Sequence, residues 1–265
     1  MPTRDLQAAR EAYKSKDPRL SELAHARAIN GAAPEMHDRG QGRYVKSFIY
    51  GGLDGTITTF AVVAGVAGAH LSTGIVLILG FANLFADGFS MAMGDYLSSK
   101  AEREYGEAER RREEWEVEHY PDGEKREMVE IYTEKGVPEN DARAMVNTLS
   151  RHKKAWVDVM MAEELGIFED TTSPIKNSLV TFGAFVFFGF VPLVTYLLVG
   201  VSAFFAAHAF GTACALTALT LFVLGALKMK ITDRKWYAAG LEMLLVGGFA
   251  AAVAYGVGAA LEKLA

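Results

Sequence analysis

Two pairs of glutamates stand at helical spacing, Glu113 with Glu116 and Glu124 with Glu127, on either side of the turn-forming "YPDG" at 120–123. Residues three apart share a helix face, so a helical hairpin there would set four carboxylates against one another. Met160 and Glu164, four apart further along, could close the cluster. Unpaired carboxylates repel. A divalent cation resolves the repulsion, and an oxygen-rich set suits hard or borderline ions. A thioether from Met160 would tilt such a site from Mg2+ or Ca2+ toward a transition metal. The same residues also fit a solvated face: Arg110, Arg111 and Arg112 stand among the acids in "ERRREEWE" and could pair with them. Met160 taken alone is equally a core residue.

A second group of polar residues lies inside apolar sequence. Asp54 sits in "YGGLDGTITTF", and Asp87 and Asp95 lie in "ADGFSMAMGDYLSS". An ionisable group at membrane depth is costly, so it faces a cavity or a partner. Asp54 reads as a cation or proton site, with a structural hydrogen-bonded carboxyl as the alternative. Asp95 can be interfacial. Met91 and Met93 follow Asp87 within two turns, near Asn83 and Ser90. They offer a soft path for a metal or ordinary packing. Glycines 51, 52 and 55 permit close helix approach or a local break. Pro192 predicts a kink, His208 reads as a structural donor, and Glu242 stays ambiguous.

The elements that must position these groups follow from composition. The chain has 265 residues, 51% hydrophobic and 22% charged, and the two kinds are segregated. Crossing about 30 Å of hydrocarbon takes about 20 mainly apolar residues. Five stretches qualify, near 48–69, 73–97, 177–199, 202–227 and 237–261, and residues 177–227 hold no Lys, Arg, Asp or Glu. The expected fold is therefore all-α: an integral membrane protein with five transmembrane helices and a cytoplasmic helical domain. No signal-peptide core is visible in the polar first 40 residues. Cys214 is alone, which excludes a disulfide framework or thiolate cluster. A net charge of −5 and the motif content give no case for nucleic acid.

Lys and Arg set the orientation. The segments before residue 47, from 99 to 176, and 228–235 carry 26 of the 27, leaving only Lys263 on the other side. The N-terminus and the 99–171 segment are expected in the cytoplasm and the C-terminus opposite. The expected division is a cytoplasmic N-terminal amphipathic segment at 1–43, spans 1 and 2 at 44–98, the cytoplasmic helical domain at 99–171, and spans 3 to 5 at 172–265. Residues 3–29 suit a helix on the membrane surface or a solvated tail. No Pro or cap separates the second span from "SSKAEREYGEAERRREEWEVEH", so one helix should continue out of the membrane. Further helices are expected near 124–135, after Pro138, and through "HKKAWVDVMMAEELGIF". Segment 99–170 carries 20 Asp and Glu against 12 Lys and Arg.

"GGLDGTITTFAVVAG", "FSMAMGDYLSSKAE", "KKAWVDVMMAEELG" and "VPL" together resemble the vacuolar iron transporter family, over about residues 45–260. The resemblance implies a homodimeric, proton-coupled exporter of cytosolic Fe2+, able also to handle Mn2+ and to bind other divalent ions such as Zn2+, Co2+ and Ni2+, with no prosthetic group. It implies that Glu113, Glu116, Glu124, Glu127, Met160 and Glu164 are ligands of a cytoplasmic metal-binding domain. It places Asp54 and Met91, with Met93 as the alternative, on the membrane path. Where many members carry a Glu about two turns before that methionine, this chain has Asn83, with Asp87 one turn later. The expected activity is antiport of protons and metal rather than an enzymatic reaction, in a bacterial inner membrane or a vacuolar membrane. A membrane-anchored metal sensor or scaffold and a passive cation channel are the alternatives. Simple anchoring requires neither Asp54 nor the glycines beside it.

Overall fold

The computed structural model describes residue 13 and residues 15–20, 39–168, 172–228 and 235–262. Two compact units are distinguished, Met1–Gln41 and Gly42–Ala265. In the first, the Arg19 amide donates to the Asp17 carboxylate at 2.9 Å. The expected surface helix at 3–29 falls mostly outside the described residues, and residues 229–234 lie outside them as well.

The second unit is helical, with no strand among the described residues. Its elements are α1 (Arg39–Gly68, begun in the first unit), α2 (Thr73–His119), α3 (Pro121–Glu134), α4 (Glu139–Leu149), α5 (Lys153–Glu163), α6 (Pro174–Leu197), α7 (Ala203–Leu227) and α8 (Trp236–Glu262). Five of these, α1, α2, α6, α7 and α8, are long and apolar enough to cross a membrane. Each follows from an apolar run closed by a short polar or glycine-bearing connection. Ser173 caps α6 ahead of Pro174, and Ser202 accepts from the Phe204 amide at the start of α7.

Helix α2 is a single element of 47 residues. At about 1.5 Å per residue it is roughly 70 Å long, more than twice the hydrocarbon thickness. Its first half therefore spans and its second half stands clear of the membrane. Val76, Gly80, Leu84, Gly88 and Ala92 recur every fourth residue as its buried stripe, and that stripe packs on α6. Helix α1 lies against α6 as well. A Cβ placed on Gly55 would fall 2.3 Å from the Phe185 carbonyl oxygen, and one on Gly51 2.6 Å from that of Thr181. These glycines admit α6 of the same chain. Phe60, Val63, Leu84, Phe185 and Leu193 fill the space between the three helices.

Pro192 lies inside α6, which continues through it. Helix α7 breaks instead at His208, whose backbone is non-helical (φ −128°, ψ 23°). The Thr212 hydroxyl donates to the His208 carbonyl at 2.9 Å.

Outside the membrane helices, the second half of α2 packs with α3, α4 and α5 into a small domain. Its apolar centre is Val117, Met128, Val146, Trp156, Val157, Met160 and Met161. Ion pairs tie its elements: Arg110 to Asp158 and Lys153 to Glu118 join α2 to α5, and Lys135 to Glu163 joins the end of α3 to α5. "YPDG" is tighter than a separate turn. Tyr120 alone separates α2 from α3, and Pro121 opens α3, where its missing N–H costs nothing. Gly136, at φ +89°, turns the chain out of α3 as expected of a residue without Cβ.

Candidate metal centre

Three of the six predicted ligands converge. Carboxylate oxygens of Glu113 on α2, Glu124 on α3 and Glu164 at the end of α5 all lie within 4.8 Å of one another. The tight α2–α3 corner makes this possible: it folds α3 back so that Glu124, in its first turn, meets Glu113 two turns before the corner. Glu113 is 1% exposed and Glu124 5% exposed. One oxygen of each, Oε2, is buried with no hydrogen-bond partner. Buried carboxylates are ordinarily paired, because an uncompensated charge in a low-dielectric interior is costly. Two such oxygens beside a third carboxylate leave a need that a cation or a proton could meet.

Protonation relieves part of that cost. Burial, reinforced by the charges of Glu113, Glu127 and Glu116, pushes Glu124 up to about 7. Burial, with the charges of Glu113 and Glu127, likewise pushes Glu164 up to about 7. Burial raises Glu113 too, opposed by its hydrogen bond from Arg112.

The other predicted ligands surround this trio. Glu116 is half-buried and lies 3.5 Å from Arg112 Nε. Glu127 is exposed, yet its charge acts on Glu113, Glu124 and Glu164. Met160 is fully buried in the apolar centre one turn before Glu164, whose backbone amide donates to the Met160 carbonyl at 3.0 Å. Glu116 and Glu127 thus add acidic charge around the trio, and the apolar cluster begins one turn before Glu164.

The membrane helices carry a second polar group. Asp54, half-buried on α1, feels the charge of Asp87 on α2. Asp87 and Met93 are exposed, whereas Met91 and Asn83 are half-buried and the Asn83 amide nitrogen is buried without a partner. Asp54 and Asp87 therefore lie near enough for one charge to act on the other.

Asp95 has a different environment. Its two oxygens accept from the Asn177 amide at 3.0 and 2.9 Å and from the Thr181 hydroxyl at 2.9 Å. Ser47 donates to the Asn177 side-chain oxygen Oδ1 at 2.9 Å. One network thereby joins α1, α2 and α6 at the membrane boundary. Arg43 ties α1 to α2 separately, donating to Ser99 at 3.1 Å and Glu102 at 3.4 Å. The sequence reading left Asn177 and Thr181 unmentioned. Their signal was two amide and hydroxyl side chains four apart, opening an otherwise apolar span.

Membrane-length helices with carboxylates among them, carrying an appended carboxylate-lined domain, define a polytopic α-helical membrane protein of the transporter class. The chain belongs to the VIT family, which it matches over residues 45–259. It is 45% identical over 271 residues to the vacuolar iron transporter of Toxoplasma gondii, with 98% of this chain and 89% of that protein aligned. It is 38% identical to the vacuolar iron transporter of Plasmodium berghei over 250 residues, 91% of each. With vacuolar iron transporter 1 of Eucalyptus grandis it shares 34% identity, covering 84% of this chain and 88% of that protein.

Proposed function

We propose that this protein moves Fe2+, and with it Mn2+, across a membrane in exchange for protons, and that the α2–α5 domain collects the ion on the cytoplasmic side. The observation that carries the reading is the meeting of Glu113, Glu124 and Glu164, two of them buried with an oxygen left unpartnered. A hard or borderline divalent cation satisfies all three at once. Glu116 and Glu127 add acidic charge around the site, and Met160 supplies a soft donor from the apolar cluster. Relatives named iron transporters support Fe2+ as the cargo.

In the membrane, Asp54 takes the ion next, with Asp87, Met91 or Met93 as co-ligands and Asn83 as a neutral neighbour. An exposed carboxylate at the depth of Asp87 is not tolerated against lipid. It requires water or a second copy of the chain, which supports a homodimer with the path between the paired first and second spans. Metal and protons occupy the same carboxylates in turn, so that inward protons drive release on the far side. The Lys and Arg distribution supports a cytoplasmic N-terminus and α2–α5 domain.

Proteoliposomes test this directly. Fe2+ flux should depend on an imposed pH gradient, and Asp54→Asn should abolish flux while the protein stays folded and dimeric. Flux indifferent to the gradient would establish a passive channel instead. Metal binding with no flux would leave the sensor reading.

A further inference from the structure

Arg112 is placed to compete with the ion. It projects from α2 between three acids of its own helix. Its Nη2 lies 3.2 Å from Glu113 Oε1 and 3.1 Å from Glu109 Oε2, and its Nε lies 3.5 Å from Glu116 Oε2. The two neighbouring positive charges differ. Arg110 pairs with Asp158 of α5 and with Glu114, and Arg111 is exposed. Only Arg112, among the three consecutive arginines, bonds a member of the converged trio. It reaches Glu113 on one carboxylate oxygen, while the other is buried without a partner. Its charge also acts on Glu164.

Resting on the reading of the trio as a divalent-cation site, we propose that Arg112 is a tethered counter-cation, holding Glu113 and Glu116 when the site is empty and yielding them when a divalent ion arrives. Three physical features fit that role. A guanidinium stays charged at every working pH, so it is always available to refill the site. Its side chain is 48% exposed, which leaves it room to swing away. Glu109 is a parking partner outside the converged set, so the displaced arginine keeps one ion pair. The device lowers affinity for the ion and so speeds its passage onward to the membrane path. An acidic cage without such a lever would retain its ion.

The test uses the full chain purified in detergent, with Mn2+ titrated calorimetrically at pH 8. Arg112→Gln should bind Mn2+ roughly tenfold more tightly, the scale expected from removing one unit charge a few ångströms away in a partly screened site. Arg112→Lys, which keeps the charge, should stay within about threefold of the parent. Thermal unfolding gives an independent readout. Arg112→Gln should unfold earlier than the parent without metal, and at or above the parent with saturating Mn2+. A purely structural arginine would lower both. Equal or weaker Mn2+ binding by Arg112→Gln, or binding by Arg112→Lys as tight as by Arg112→Gln, overturns the proposal. Parent binding that survives Glu113→Gln, Glu124→Gln and Glu164→Gln together would instead remove the site itself.

Discussion

The Asn177 side-chain amide donates to both carboxylate oxygens of Asp95, at 3.0 and 2.9 Å, across 82 residues of chain. Asn177 is 2% exposed, so its amide has no water to fall back on. Asp95→Ala strands that amide, and Asn177→Ala strips the carboxylate of two of its three donated bonds. Each should cost about 1–3 kcal/mol. Because both act on one bond pair, the double variant should fall short of the sum by about 0.5 kcal/mol or more. Equilibrium unfolding of the four proteins in mixed micelles measures this.

The α1–α6 contact predicts a sharp contrast between glycines. Gly55→Ala drives a methyl to 2.3 Å from a backbone oxygen of Phe185, where no side chain can move aside. The helices must separate, at about 1–3 kcal/mol, and Asp54 next door shifts with α1. Gly183→Ala, also in a span but with nothing within 4 Å, should be neutral or gain a few tenths of a kcal/mol from helix propensity. Unfolding and Fe2+ flux of the two variants check this. Equal behaviour would mean that α1 and α6 are not in close contact.

Helix existence was plain in the sequence because the five apolar runs reach membrane length and "SSKAEREYGEAERRREEWEVEH" contains no Pro. The acid pairs were legible from spacing, as was the shared face of Met160 and Glu164. Which three acids meet was not, because helical periodicity fixes faces within one helix but not the angle between helices. That angle depends on Pro121 opening α3 straight after Tyr120, where the pattern suggested a longer turn. The arginines of "ERRR" illustrate the same limit. By spacing all three could pair with local acids, yet Arg110 reaches Asp158 of α5 as well as its own Glu114, while Arg112 stays on Glu109, Glu113 and Glu116. The glycines around Asp54 announced close approach, but hydropathy does not name the helix that approaches. Asp95 likewise gave no hint of α6, since its partners are remote in sequence.

Met160 separates stability from selectivity. It is fully buried beside Met128 and Trp156, where Leu has nearly the same volume. Met160→Leu should change stability by less than about 1.5 kcal/mol. If its sulfur faces the ion, the substitution should weaken Co2+ and Ni2+ by roughly tenfold and Mn2+ far less, in line with ligand softness. Competition titrations of the full chain with these ions give the ratio. An unchanged ratio would confine Met160 to packing.

The raised carboxylates fix the pH behaviour of the α2–α5 domain. Glu124 and Glu164 are pushed up to about 7 in the folded chain by burial and by neighbouring acids, from an ordinary value of 4.5. The folded state then holds more protons than the unfolded one wherever the pH lies between those limits. The stability that these two groups contribute without metal is therefore fully present below about pH 4.5, and is lost as pH rises from there through about 7. The ionised acids left behind are what a divalent ion compensates, so added Mn2+ should restore the melting temperature at pH 8 and do little at pH 5. Binding must also expel the protons that remain. Near pH 7 these groups are still partly protonated, so calorimetry in buffers of different ionisation enthalpy should report protons released as the ion binds. The number should fall toward zero by pH 9, and Glu124→Gln with Glu164→Gln should remove it. Proton release that stays constant from pH 6 to 9 would show that these carboxylates are already ionised when the ion arrives.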